Sequence, residues 1–143
     1  MQWIEQNTPE DSKFLVITGD QNAFCDPINE WFPSLANRES LTTIQGSEWL
    51  LSDDFGKNMM QVHKLQGCID QGVECFAHES NMLSESFDYV YISIAPVTKN
   101  CELSDSSTRK TRGLITALES GQDYSTVYRS EKVILFEKKQ IQP

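Results

Sequence analysis

Apolar positions along the chain follow two periods. Phe14, Leu15, Val16, Ile17 and Thr18 form a continuous run, the pattern of a strand covered on both faces. Leu41, Thr42, Thr43 and Ile44 predict a second strand, stopped by Gln45 and Gly46. Residues 88–94 predict a third, rich in β-branched and aromatic side chains. Residues 124–128 and 132–136 predict two more, joined by a hairpin-length connection. Helical spacing separates these runs. Residues 3–7 predict a short helix that ends at Asn7-Thr8-Pro9, since proline disfavours helix in the residue before it. Asp26 is placed to cap a helix opening on Pro27, with Ile28, Trp31, Phe32 and Leu35 on its apolar face and Pro33 shortening or bending it. Residues 53–71 form the longest helical pattern. Phe55, Met59, Val62, Gln66 and Ile69 share one face, and Gly72 is the stop. Residues 74–87 predict a long polar connection with room for a short helix. Ser107 or Thr108 caps a last helix through Ser120, with Leu114, Ile115 and Leu118 inward.

This order of elements predicts the α/β class: a layered sandwich on a mainly parallel sheet of about five strands that ends in an antiparallel hairpin. Residues 1–143 read as one domain, without repeats or a dividing linker. With 38% hydrophobic and 10% aromatic residues, the chain is globular and long enough for one sizeable core. Its formal net charge of -9 argues against nucleic acid as a partner and against docking on anionic lipid by a basic face. No apolar run approaches the roughly 20 residues of a spanning helix, and no signal-peptide pattern opens the chain. The first helix starts without a leader or a capping residue, as expected of a domain excised from a longer protein. The alternative is a small complete cytosolic protein.

Motifs for common chemistries are missing. One glycine follows the first strand, without GxGxxG, and neither GxxxxGK[ST] nor GxSxG occurs. Two histidines, His63 and His78, and no CxxC give little support to a zinc site, so no metal and no cofactor are expected. What remains is position. Ligands of open parallel sheets sit outside the carboxyl ends of the strands. That rim gathers Gly19, Asp20 and Asp26 after the first strand, Gln45, Gly46, Glu48 and Trp49 after the second, and Ala95-Pro96 after the third. Carboxylates beside tryptophan suit carbohydrate, because they accept hydroxyl hydrogen bonds while indole covers the apolar side of a sugar. Asp26 and Glu48, if close, also suit acid/base work. The competing expectation is structural, with Asp26, Glu30 and Glu48 capping helices. Glu48-Trp49 is expected at the rim and Trp31 in the core.

The four cysteines allow three pairings. Cys68 and Cys75 are close enough in sequence to close a small loop and form the favoured pair, with Cys25 and Cys101 as the second. Reduced cysteines in a cytosolic core are the alternative.

Several short patterns resemble one family. The opening Trp3-Ile4-x-x-Asn7-Thr8-Pro9 before an apolar strand is similar to a juncture in polytopic GT-C-type membrane glycosyltransferases, such as dolichyl-phosphate-mannose mannosyltransferases and their bacterial relatives. The central Glu30-Trp31-Phe32-Pro33-x-Leu35, Arg38-x-Ser40 and Gln45-Gly46-x-Glu48-Trp49 look like theirs, as does the closing Tyr124-x-x-Val127-Tyr128 before the strand from Val133 to Phe136. The resemblance implies a C-terminal soluble domain on the extracytoplasmic face of a membrane. It also implies disulfides, and the membrane portion of the same parent chain as partner. Catalytic aspartates of that family usually lie in loops of the membrane part, so no family functional residue is carried onto these positions. The expected function is a non-catalytic domain assisting glycan or lipid-linked sugar binding. A free-standing small α/β enzyme using the rim carboxylates and a protein-interaction domain are the alternatives.

Overall fold

A computed structural model describes residues 1–51, 54–94 and 111–139. The strands are β1 (Lys13–Ile17), β2 (Glu39–Ser40), β3 (Tyr89–Ser93), β4 (Tyr124–Arg129) and β5 (Val133–Lys138). They form one sheet in the order β2-β1-β3-β5-β4. β1 pairs parallel with β2 and with β3, while β5 pairs antiparallel with β3 and with β4. Of these five strands β5 alone runs against the others. The helices are α1 (Gln2–Asn7), α2 (Pro27–Ala36), α3 (Glu48–Leu51), α4 (Phe55–Gln71), α5 (Val73–Asn81) and α6 (Thr111–Ser120).

The sheet is covered on both faces, which explains the continuous apolar runs. Leu15, Ile17, Val90, Ile92, Ile134 and Phe136 pack against Leu65 and Ile69 of α4, Phe76 of α5 and Leu114 and Leu118 of α6. On the other face Phe14, Val16, Tyr89, Tyr91 and Leu135 pack against Ile4 of α1 and Phe32 and Ala36 of α2. The architecture is therefore the expected α/β sandwich.

Two local outcomes differ from the sequence expectation, the second strand and Trp31, and each has a polar cause. The second strand lies at Glu39–Ser40, before the apolar run 41–44. After Leu41, whose N–H still donates to Phe14 O at 2.9 Å, the side chain of Thr42 takes over from the backbone. Its hydroxyl accepts from Val16 N at 2.9 Å and donates to Asn29 Oδ1 at 2.8 Å. Trp31 is 54% exposed, not in the core. The inward positions of α2 are Asn29, Phe32 and Ala36. Asn29 is held there by its amide bonds to Asp26 Oδ2 (2.7 Å) and Val16 O (3.2 Å), which rotates Trp31 and Leu35 outward. Pro33 lies inside α2 without ending it. It lacks the N–H that would pair with Asn29 O, and that carbonyl accepts from Thr43 Oγ1 at 2.6 Å instead. The polar stretch after Gly72 begins with the helix α5, which turns away from α4 at this glycine, where φ is 96°.

The ends of α1 and α2 are tied together by one buried cation. Arg38 Nη2 donates to Glu5 O (2.8 Å) and Thr8 O (2.6 Å), and its Nε donates to Thr8 Oγ1 (3.0 Å). These bonds close α1 together with those from Asn7 Nδ2 to Trp3 O and from Thr8 Oγ1 to Ile4 O, each 2.8 Å. Asp53, Ala95, Pro96, the loop 97–106 with Cys101, and the caps Ser107 and Thr108 lie outside the described residues.

Candidate functional site

The chain leaves β1 to one side to form β2 and returns to the other side of β1 to form β3. The carboxyl ends of β1 and β3 therefore flank a topological switch point, where open α/β sheets form a crevice. Thr18, Gly19 and Asp20 follow β1 there, and Ser93 ends β3.

This crevice is filled by the protein's own polar side chains. Asp26 is 1% exposed and accepts four hydrogen bonds: from Thr18 Oγ1 (2.6 Å), Asn29 Nδ2 (2.7 Å), Ile28 N (3.1 Å) and Asn29 N (3.1 Å). The last two are the capping bonds at the start of α2. Gln66 of α4 completes the plug. Its Oε1 accepts from Thr18 N (2.9 Å) and Gly19 N (3.0 Å), and its Nε2 donates to Val16 O (2.7 Å). The two backbone N–H groups best placed to meet a ligand are thus occupied. Gly19 permits this approach: it holds φ at 81°, and a Cβ there would meet Ile69 Cγ2 at 3.1 Å.

The other rim residues lie outside this plug. Asp20 is half-buried and accepts from Asn22 N at 2.9 Å, closing a tight turn. Gln45 donates to Ala23 O at 2.6 Å, while its Oε1 has no partner among the described residues. Gly46 turns the chain with φ 83° into open space. Glu48 opens α3 on the surface, and Trp49 beside it is 88% exposed. Asp26 is therefore a structural cap, whereas Gln45, Gly46, Glu48 and Trp49 form the accessible part of the rim.

Sequence reasoning missed Thr18, Asn29, Thr42 and Gln66 as a connected set. One signal was available. A glutamine at a core position of an amphipathic helix must find polar partners when buried, and Gln66 occupies such a position in α4.

A second concavity, of about 340 Å³, opens on the α1 side of the sheet above β3, β5 and β4. Its walls include Trp3, Tyr91, Tyr128, Ser130, Val133 and Leu135. The rings of Trp3 and Tyr128 meet with centroids 4.9 Å apart and planes at 33°. Burial, then the Asp26 carboxylate and Tyr128, push the Tyr91 hydroxyl up to about 12. Tyr91 keeps its proton at all ordinary pH.

No family model, curated protein or solved structure matches the chain.

The cysteines pair as the sequence favoured where the structure describes them. Cys68 of α4 is bonded to Cys75 of α5, with Cα atoms 5.3 Å apart across the Gly72 corner. Cys25 is disulfide-bonded as well. Among the described residues no group of three His, Cys, Asp or Glu side chains is arranged to hold a metal. No helix among them is long and apolar enough to cross a membrane.

Proposed function

We propose that this chain is a non-catalytic extracytoplasmic domain of a membrane-bound glycosyltransferase-like protein, where it assists binding of glycan or lipid-linked sugar. The observation that carries the reading is the cysteine chemistry. Cys68–Cys75 and the disulfide at Cys25 suit an oxidising compartment, since glutathione and thioredoxin keep such thiols reduced in the cytosol. A non-catalytic role is supported by Asp26, whose carboxylate is consumed by four internal donors and is unavailable to a substrate. The family-like motifs around Glu30-Trp31 and Glu48-Trp49 supply the kind of parent. Trp31 and Leu35, one helical turn apart on the outer face of α2 and each more than half exposed, offer an apolar surface to the membrane portion of that parent. Disulfide mapping by mass spectrometry on protein from its native source tests the compartment. Bonded cysteines are expected, and four free thiols would overturn the reading.

A further inference from the structure

The pocket beside Trp3 has features that the plugged crevice lacks. Two aromatic rings, Trp3 and Tyr128, meet at an angle and both line the cavity. Tyr91, Ser130, Val133 and Leu135 are among the other walls, and the Ser130 hydroxyl is held within its own turn by Lys132 N and Val133 N. No charged side chain lines it among the described residues, although the chain as a whole carries a net charge of -9. An ionic ligand would find no side-chain counter-charge there and would lose hydration on entry. A volume of about 340 Å³ is at the small end of ligand pockets, which run from roughly 300 to 1,000 Å³. It suits one ring-sized group and excludes an extended chain of several.

Ser93 adds an independent observation. It is 3% exposed, and its Oγ has no hydrogen-bond partner among the described residues. Alternation along β3 places it on the same sheet face as Tyr91, and in register it lies opposite Val133. Tyr91 and Val133 are both walls of the pocket. An unpartnered buried hydroxyl therefore lies next to two wall residues of the cavity, though not among its walls.

We propose that the Trp3–Tyr128 pocket is a subsite for a single neutral hexose ring. The C–H face of the sugar lies against the Trp3–Tyr128 pair, and its hydroxyls exchange hydrogen bonds with Tyr91. Tyr91 is suited to this exchange because its retained proton lets it both donate and accept. The ligand class rests on the glycan reading above; the location rests on the pocket alone. This location differs from the Glu48-Trp49 rim, so the two sites are separable by experiment.

The three indole N–H signals of Trp3, Trp31 and Trp49 report on the two locations and on the outer face of α2. Methyl glycosides of glucose, mannose and galactose, with glucuronic acid and glucosamine as charged controls, are titrated into the isotope-labelled chain. The Trp3 signal is expected to move saturably with at least one neutral glycoside and not with the charged sugars. Tyr128→Leu is expected to abolish the response. Tyr91→Phe keeps the ring and is expected to weaken binding roughly fivefold, the loss of one hydrogen bond. Movement of Trp49 with Trp3 still would overturn the pocket and leave the glycan reading at the rim. Silence from all three indoles at tens of millimolar sugar would end both. Equal response to the charged sugars, or a Trp3 response to octanol but to no glycoside, would overturn the neutral-hexose assignment. Should Tyr128→Leu fail to fold, Tyr91→Phe carries the test, and unchanged affinity in it would refute the hydroxyl contact.

Discussion

Asp26 links sequence, fold and site in a single side chain. Its carboxylate caps α2 through Ile28 N and Asn29 N and neutralises two buried donors, Thr18 Oγ1 and Asn29 Nδ2. Loss of a cap costs about 1 kcal/mol, and each buried donor left unpaired costs a further ~1–3 kcal/mol. Asp26→Ala is therefore expected to lower stability by about 3 kcal/mol, or roughly 10 °C in melting temperature for a chain of this size. A catalytic acid kept in strain behaves oppositely, since its removal commonly raises stability. Thermal melts of the variant separate the two roles, and an unchanged or raised midpoint would contradict the structural one. Tyrosines give a second prediction. Burial first, with Asp26 and Asp123 respectively adding to it, pushes Tyr91 and Tyr124 up to about 12 from the ordinary value near 10. Between these values the unfolded chain loses protons that the folded chain keeps. Stability is thus fully present below about pH 10 and falls as pH rises toward 12. Absorbance titration of the phenolates should show ionisation coincident with alkaline unfolding, and Tyr91→Phe with Tyr124→Phe should flatten the decline. Phenolates that form while the fold persists unchanged to pH 12 would refute it.

Thr42 shows why one element was misplaced along the chain. The run Leu41, Thr42, Thr43 and Ile44 has strand composition, and Ile44 is fully buried, but the main-chain ladder stops just after Ser40. The Thr42 hydroxyl substitutes for it by accepting from Val16 N and donating to Asn29 Oδ1. A pattern of apolar and β-branched residues reports burial, not which atom makes the bond. Thr42→Val keeps the volume and removes that atom, leaving Val16 N–H and Asn29 Oδ1 unpaired in a dry interior. A loss of about 2 kcal/mol or more is expected in urea unfolding, with the slope unchanged. A loss below ~0.5 kcal/mol would mean that water or a local shift replaces the hydroxyl. The same polar network accounts for Trp31. Seen as sequence, α2 has its apolar stripe through Ile28, Trp31, Phe32 and Leu35, yet the buried partners of Asn29 set its rotation. The helix obeyed hydrogen bonding made at the end of β1, over a dozen residues away. Caps behaved more simply: Asp26 with Pro27, and Gly72 at the corner before α5, were legible because their causes are local.

At the scale of the whole molecule the legible part was the layering. Continuous apolar runs in β1 and β3 required cover on both faces, and helices supply it on both. The pocket was not legible, because Trp3 and Tyr128 lie at opposite ends of the chain and meet only through the order β3-β5-β4. The rim was partly legible, since strand order places Thr18 and Ser93 at the switch point, but nothing in spacing foretold that Gln66 and Asp26 would close it. Charge is the other property that belongs to the whole chain. Twenty-one acidic residues against 12 basic ones leave a net charge of -9 on the chain. A chain of this length has a radius of gyration of roughly 15 Å. At 0.01 M salt the screening length is about 30 Å, so charges on opposite faces repel one another; at 0.15 M it is about 8 Å and mostly neighbours interact. Self-repulsion destabilises the compact state. Raising sodium chloride from 0.01 to 0.15 M is therefore expected to stabilise the fold by on the order of 1 kcal/mol, about 2–4 °C in the melting midpoint. The comparison is made at pH 7, and its gain should shrink toward pH 4.6, the isoelectric point. A midpoint that falls with salt at pH 7 would show instead that attractive ion pairs outweigh the net repulsion.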